Sequence, residues 1–338
     1  MILFSYGTRP EFIKVKPIID AFELNQIPYR TLFTGQHLDL IKDQEVDYRF
    51  TIKRKTKNRL SNILCSAIEQ FENLPVEEFT GVLVQGDTTS ALAVATAAFN
   101  NKIPVIHLEA GLRTYDIFSP FPEEYNRRSI GSLASVHLCP TLKAQKNLKK
   151  EGITKNVYVV GNSVLDNLSD LETSNNKKVI VTLHRREKFH EIDKWFAEIE
   201  KLATKHGDLT FELPAHPNPD VQKHLHIFKK VKVRKPYDYQ EFVSELASCY
   251  AIITDSGGIQ EEAAFLKKPC VVCREYTERT EGLRTHAILC KRVAHLGSKF
   301  NKSLKLPIND IQCPYGDGKT GQKVQKILCD IFNLKEKK

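Results

Sequence analysis

Acidic side chains recur where apolar runs end in the first half of this sequence. They are Asp87 in Gln85-Gly86-Asp87-Thr88-Thr89, Glu109 in His107-Leu108-Glu109-Ala110-Gly111, and Glu123 with Glu124 just after Pro122. Taken singly, each is most simply a loop acid or a helix cap. Jointly, at successive strand ends, three carboxylates converging on one cleft would perform general acid–base work, because mutual repulsion and burial raise some of their pKa values. A second kind of signal is a turn that can hold an anion. Gly7-Thr8-Arg9-Pro10-Glu11 follows the first apolar run; Gly7 permits a tight turn and Pro10 suits the first helical position. The helix N-terminus would then offer backbone donors, with Arg9 as a forked cationic partner. On this motif alone an ordinary strand-to-helix turn is an equal reading. It is not G-x-G-x-x-G, so no dinucleotide cofactor is indicated. Pro17, inside the helix that follows, should kink it.

Asp255-Ser256-Gly257-Gly258 repeats the logic in the second half, after Ala251–Thr254 and before a helical stretch from Ile259. Two glycines let a phosphate approach the helix end closely, Ser256 can donate or cap, and Glu262 can accept from ribose hydroxyls. His184-Arg185-Arg186-Glu187 begins where another strand ends, and a histidine and arginine there would neutralise a diphosphate leaving group; the plainer reading is a surface turn with an ion pair. His216, also at a strand end, is by itself more often structural.

These positions need elements to hold them. Short apolar runs alternate with amphipathic helical stretches, the pattern of parallel βαβ units. Strands are expected at Ile2–Tyr6, Tyr29–Phe33, Gly81–Gln85, Val105–Leu108, Val136–Pro140 and Val157–Val160, and a second series at Lys178–Thr182, Thr210–Leu213, Val231–Lys235, Ala251–Thr254 and Cys270–Cys273. The expected fold class is α/β, two Rossmann-like doubly wound domains facing a cleft. The domains are residues 1–167 and 178–320, the polar stretch 168–177 is a linker, and a helix within 321–338 packs back on the first domain. Ligands bind such sheets at the strand C-terminal ends.

Composition bounds the rest. The chain of 338 residues suits two domains, and 41% hydrophobic with 27% charged residues is a globular balance. The short apolar start has no basic leader or cleavage site, and no run approaches the roughly 20 apolar residues that span a bilayer, so the expected location is cytoplasmic, with no membrane partner. Eight scattered cysteines fit buried thiols in a reducing compartment, and Cys270 and Cys273, in an apparent strand, read as core. The net charge of +9 admits anionic partners, but its densest run, Lys53 to Arg59, lacks interleaved aromatics and reads as a solvated helix face; nucleic acid is not an expected partner.

Taken together, the motifs resemble those of the non-hydrolysing UDP-N-acetylglucosamine 2-epimerase family. The match runs from Gly7–Lys14 through Thr34–His37, Gly86–Thr89, Glu109–Thr114, Pro122–Arg127, Gly161-Asn162, His184–Glu187, Asp255–Glu262 and Thr277–Arg279 to Pro314–Gly318. The resemblance implies a GT-B-like fold, a UDP-sugar substrate, a homodimer, and a reaction needing neither metal nor NAD. UDP would be eliminated from UDP-GlcNAc across C1–C2 and re-added after a proton reaches C2 from the opposite face, giving UDP-ManNAc for surface polysaccharide precursors. It implies Asp87, Glu109 and Glu123 as catalytic acids, and Arg9 and His184 as active-site cations. Lys14, Arg127, Ser256, Gly257, Gly258, Glu262 and Arg279 would bind substrate, and Gln36, Arg185 and His216 would form an allosteric site. Asp39, Thr280 and a shortened segment at Ala294–Ser298 depart from the family pattern and bear on activation and on the exact sugar. Alternatives are a C2 epimerase of another UDP-2-acetamido sugar (6-deoxy or uronic), a hydrolysing epimerase, a GT-B glycosyltransferase, and a non-catalytic UDP-sugar sensor.

Overall fold

The computed structural model describes residues 1–36, 45–183 and 191–335. The chain divides into two units, Met1–Asn167 with Gly316–Lys338, and Leu168–Tyr315.

In the first unit β1 (Ile2–Tyr6), β2 (Tyr29–Phe33), β3 (Tyr48–Arg49), β4 (Gly81–Gln85), β5 (Val105–Leu108), β6 (Val136–Cys139) and β7 (Val157–Val159) form one sheet ordered β3-β2-β1-β4-β5-β6-β7. All of its pairings are parallel. The helices are α1 (Arg9–Leu24), α2 (Arg59–Phe71), α3 (Thr89–Asn100), α4 (Glu123–Leu133) and α5 (Leu142–Lys150), with α11 (Thr320–Phe332) at the chain end. Strand β1 shows why a continuous apolar run is required. Ile2, Phe4 and Tyr6 enter one core with Val15, Ile18 and Phe22 of α1, while Leu3 enters the other with Phe71 of α2 and Ala93 of α3. A strand buried on both faces cannot alternate with polar residues. The strand order runs outward in both directions from β1 and β4, so the loops after these two strands diverge and open a crevice at their C-terminal ends. Gly7 and Gly86 occupy those two loops.

The second unit repeats the plan. Strands β8 (Lys178–Thr182), β9 (Thr210–Pro214), β10 (Lys232–Arg234), β11 (Ala251–Thr254), β12 (Cys270–Val272) and β13 (Ala287–Leu289) form a parallel sheet ordered β10-β9-β8-β11-β12-β13. The helices are α6 (Ile192–Lys205), α7 (Pro219–Gln222), α8 (Tyr239–Ser248), α9 (Gly257–Phe265) and α10 (Leu296–Ser303). Trp195, Phe196, Phe211 and Phe300 fill a core between the sheet and the helices α6 and α10. Here the order diverges at β8 and β11, and Ser256 follows β11. The fold is therefore α/β with two Rossmann-like doubly wound units.

Several local features differ from the sequence reading. Two short strands, β3 and β13, extend the sheets. Residues 53–58 are not a helix face: they form a loop, with the Lys53 amide donating to Ser66 Oγ and the Lys55 amide to Asn62 Oδ1, and α2 starts only at Arg59. The polar stretch 168–177 lies within the second unit, where the Ser174 and Asn176 amides donate to the carbonyls of Ala247 and Ser248. Helix α1 continues through Pro17, and Arg9, not Pro10, is its first residue. Cys270 and Cys273 are both buried, and burial pushes the Cys270 thiol pKa far up. Among the described residues no helix is long and apolar enough to cross a membrane.

Candidate active site

In the first unit, the turn after β1 is built around a buried acid. Glu11 accepts from the Gly7 amide at 2.9 Å through one carboxylate oxygen and from the Thr88 hydroxyl at 2.6 Å through the other. Thr88 in turn caps α3, accepting from the Ala91 amide at 3.1 Å, so one carboxylate ties the loop after β1 to the helix after β4. Burial pushes the Glu11 pKa up, opposed by these hydrogen bonds. Gly7 is demanded by crowding: a Cβ there would lie 2.1 Å from Thr34 Oγ1 and 2.5 Å from Ser90 Oγ. Gln36 joins the same corner, its side-chain oxygen accepting from the Ser90 amide at 3.2 Å. Arg9 stands at the first turn of α1, partly exposed.

The crevice holds two charge pairs. Asp87 follows Gly86, whose φ of 70° is left-handed. Arg127 of α4 reaches Asp87 Oδ2 with Nε at 2.8 Å and Nη2 at 2.7 Å, and Asn126 donates to the Asp87 carbonyl at 2.8 Å. One strand over, Glu109 follows β5 with φ 67°, a conformation few non-glycine residues adopt without local constraint. Its Oε2 accepts from Lys14 Nζ and from Gln85 Nε2, both at 2.5 Å. The Asp87 pKa is raised, chiefly by burial and further by the Glu109 charge, with Arg127 and Lys14 opposing. The two carboxylates thus sense each other inside one network of two acids and two cations.

Glu123 opens α4, one helical turn before Arg127. Its neighbour Glu124 is fully buried, accepts from the Thr114 and Tyr115 amides at 3.0 and 3.1 Å, and lies 3.4 Å from Arg127 Nη1. That acid anchors the 114–122 loop; the sequence could not say which of two adjacent glutamates turns inward. Glu124 is legible in the sequence as a strand-end acid beside Glu123, whereas Gln85 and Glu11 stand inside their motifs with no role the sequence assigns.

In the second unit, α9 starts at Gly257 with Ser256 as its N-cap residue, and the Ser256 side chain makes no capping bond. The loop is fixed instead from behind: the Thr254 hydroxyl accepts from the Ser256 amide at 2.9 Å and pairs with the Thr182 hydroxyl at 2.6 Å. Arg279 packs against this helix start, its Nε 2.8 Å from Glu261 and its Nη1 2.5 Å from Glu278. A Cβ on Gly257 would lie 2.5 Å from Arg279 Nη1. The Arg279 backbone is held as well: Gln260 and the buried Tyr315 hydroxyl both donate to its carbonyl, at 2.7 and 3.1 Å. Glu262 lies buried on α9. A helix N-terminus with small residues and a braced arginine is suited to an anion. His216 is exposed, and its Nδ1 accepts from the Asn218 amide at 3.1 Å, ordering the turn before α7. His184 and Arg185 lie outside the described residues. Among those described, no group of three or more His, Cys, Asp or Glu side chains is placed to hold a metal ion.

Comparison with known proteins gives a consistent picture. A family model described as UDP-N-acetylglucosamine 2-epimerase matches residues 21–329. A UDP-N-acetylglucosamine 2-epimerase of Campylobacter jejuni is 36% identical, covering 97% of each chain, and one of Salmonella borreze is 33% identical over 99% of each. The crystal structure of the Neisseria meningitidis UDP-GlcNAc 2-epimerase bound to UDP-GlcNAc superposes with a TM-score of 0.83 at 31% identity, covering 97% of this chain and 99% of that one. The Methanocaldococcus jannaschii enzyme in complex with UDP-GlcNAc and UDP gives 0.80 at 31% identity, with the same coverage.

Proposed function

Because this chain belongs to the UDP-N-acetylglucosamine 2-epimerase family, and is an isomerase of the GT-B-like fold class, we propose that it inverts C2 of UDP-GlcNAc reversibly to give UDP-ManNAc by eliminating and re-adding UDP. In the forward direction a carboxylate removes the C2 proton while the C1–O bond to UDP breaks, leaving a 2-acetamidoglucal and bound UDP. A proton delivered to the opposite face of C2 and return of the UDP oxygen to C1 complete the inversion. Atoms balance with no redox step.

The observation that carries this reading is the crevice network, in which Asp87 and Glu109 sit on neighbouring loops and Asp87 is held with a raised pKa. A C2 hydrogen is weakly acidic, so its removal needs a positioned base, and the return step needs a carboxylic acid that keeps its proton near neutrality. Asp87, Glu109 and Glu123 are assigned these proton transfers. Lys14 and Arg127 hold the first two carboxylates in place and counter negative charge near the sugar. Ser256, the Gly257 and Gly258 amides and Arg279 are assigned to the diphosphate, with Glu262 on the ribose and Arg9 and His184 assisting departure of UDP. Gln36, Arg185 and His216 are assigned to an activating UDP-GlcNAc. Incubation of enzyme with UDP-GlcNAc alone in deuterated water tests the function. Deuterium at C2 in both epimers is the expected result; free sugar would indicate hydrolysis, and unexchanged substrate would overturn epimerisation.

A further inference from the structure

One cavity of the second unit takes no part in this chemistry. It has a volume of about 550 Å³ and lies beside the edge strand β13, lined by Leu283, Arg284, Ile288, Leu289, Lys291, Arg292, His295, Lys299 and Lys302. Of these nine side chains, three are aliphatic, five are permanent cations at neutral pH, one is histidine, and none is acidic. They come from the loop before β13, from β13 itself, from the turns after it, and from α10, where Lys299 and Lys302 are three residues apart and so on one side. No ion pair involves any of the five cations among the described residues. Glu261 is paired with Arg279, and Glu278 with both Arg274 and Arg279.

Five uncompensated positive charges around one concavity repel each other, and a binding anion relieves that repulsion. Lysine beside a free sheet edge also discourages edge pairing, but Lys291 alone would serve that purpose. Convergence of Lys299 and Lys302 from a separate helix onto the same hollow is not explained by edge protection. The aliphatic part of the lining distinguishes the ligand further. Leu283, Ile288 and Leu289 give the hollow apolar surface, and the ring of Tyr276, 72% exposed, lies beside it with Lys291 Nζ 5.0 Å from its centre. A bare inorganic anion uses none of this. The volume falls within the roughly 300–1,000 Å³ range of small-molecule sites.

We propose that this hollow is a binding site for a nucleotide-like polyphosphate: a compact ligand with three or more negative charges and one flat apolar group. Phosphate oxygens would meet Arg292, Lys299 and Lys302, and the flat group would lie on Leu283, Ile288 and Leu289.

The test is titration calorimetry of the full-length enzyme with ATP and, separately, inorganic tripolyphosphate, with saturating UDP present throughout to occupy the assigned diphosphate site. One ATP per chain is expected, bound more tightly than tripolyphosphate and weakened at least tenfold in the Lys299→Gln/Lys302→Gln variant. The single variant Arg292→Gln, on a turn outside helix and strand, should show a smaller loss in the same direction. Both changes lie outside the assigned catalytic and UDP-binding residues, so C2 exchange should persist in them; this separates failure of the site from failure of the epimerase reading. Unchanged ATP affinity in both variants, no saturable binding at millimolar ATP, or tripolyphosphate binding as tightly as ATP would each overturn the proposal. Binding to phosphatidylglycerol vesicles without saturable ATP binding would also overturn it, in favour of an anionic surface.

Discussion

A carboxyl group can return a proton to carbon only if its surroundings resist its ionisation, and the crevice biases Asp87 that way. Asp87 is held by the Arg127 fork yet has a raised pKa, because burial and the Glu109 charge outweigh the arginine. Exchanging Asp87→Asn or Glu109→Gln should leave UDP affinity within a few-fold and lower turnover about 10²- to 10⁴-fold, the usual worth of a positioned acid or base. Near-normal turnover in both variants would remove these residues from the mechanism. The raised pKa also sets a stability sign. Ionised Asp87 is less favourable folded than unfolded, so its penalty is full above its folded pKa and fades as pH falls through it. The gap in urea midpoint between Asp87→Asn and the parent enzyme should therefore move in the parent's favour as pH is lowered from 8 towards 4. A gap moving the other way would show that Arg127 dominates. Burial raises the Glu11 pKa too, but both its oxygens face donors. Glu11→Gln keeps an oxygen for the Gly7 amide only by turning its NH2 to the Thr88 hydroxyl, which then loses its acceptor there, and a loss of about 1–3 kcal/mol in urea unfolding is expected.

At the scale of elements, glycines mark where two pieces of backbone meet. Gly257 leaves room for the Arg279 guanidinium, and a methyl there would lie 2.5 Å from it. Gly257→Ala should leave the circular dichroism spectrum unchanged while weakening UDP binding at least tenfold; unaltered UDP affinity would separate Arg279 from the diphosphate. Most of the framework was legible because a strand buried on both faces must be a run of apolar residues, as Gly81–Gln85 and Ala251–Thr254 are. Strands β3 and β13, of two and three residues, carry too little pattern to be seen. Lys53 to Arg59 was misread because charge alone suggested a solvated helix, whereas Asn58 caps α2 and stops the helix from extending back over the run. The acids were legible as strand-end residues. Their cationic partners and Gln85 were not read as a network, because pairs such as Lys14 with Glu109 are made across the sheet by residues far apart in sequence.

At the scale of the whole chain, the last segment belongs to the first unit. Val324 and Leu328 of α11 are fully buried in the core that Ile2, Phe4 and Phe22 build, and Ile327 and Phe332 pack against it. Helix α11 meets α1 at a close approach, where a Cβ on Gly321 would lie 2.2 Å from the Pro17 carbonyl oxygen. The Gly321 amide donates to the half-buried Asp166 at 2.7 Å. Burying Val324 and Leu328 contributes about 1.5–3 kcal/mol each. Together these are a large part of the ~5–15 kcal/mol that holds a typical domain folded. Ending the chain after Tyr315 should therefore cost the first unit its cooperative melting transition, while the second unit, residues 168–315, keeps its own and resists limited proteolysis. Calorimetry separates the outcomes: a first-unit transition surviving within a few degrees would show that α11 merely covers this core. Gly321→Ala should give a graded form of the same effect, lowering only the first unit's transition, since the methyl meets backbone that cannot rotate away.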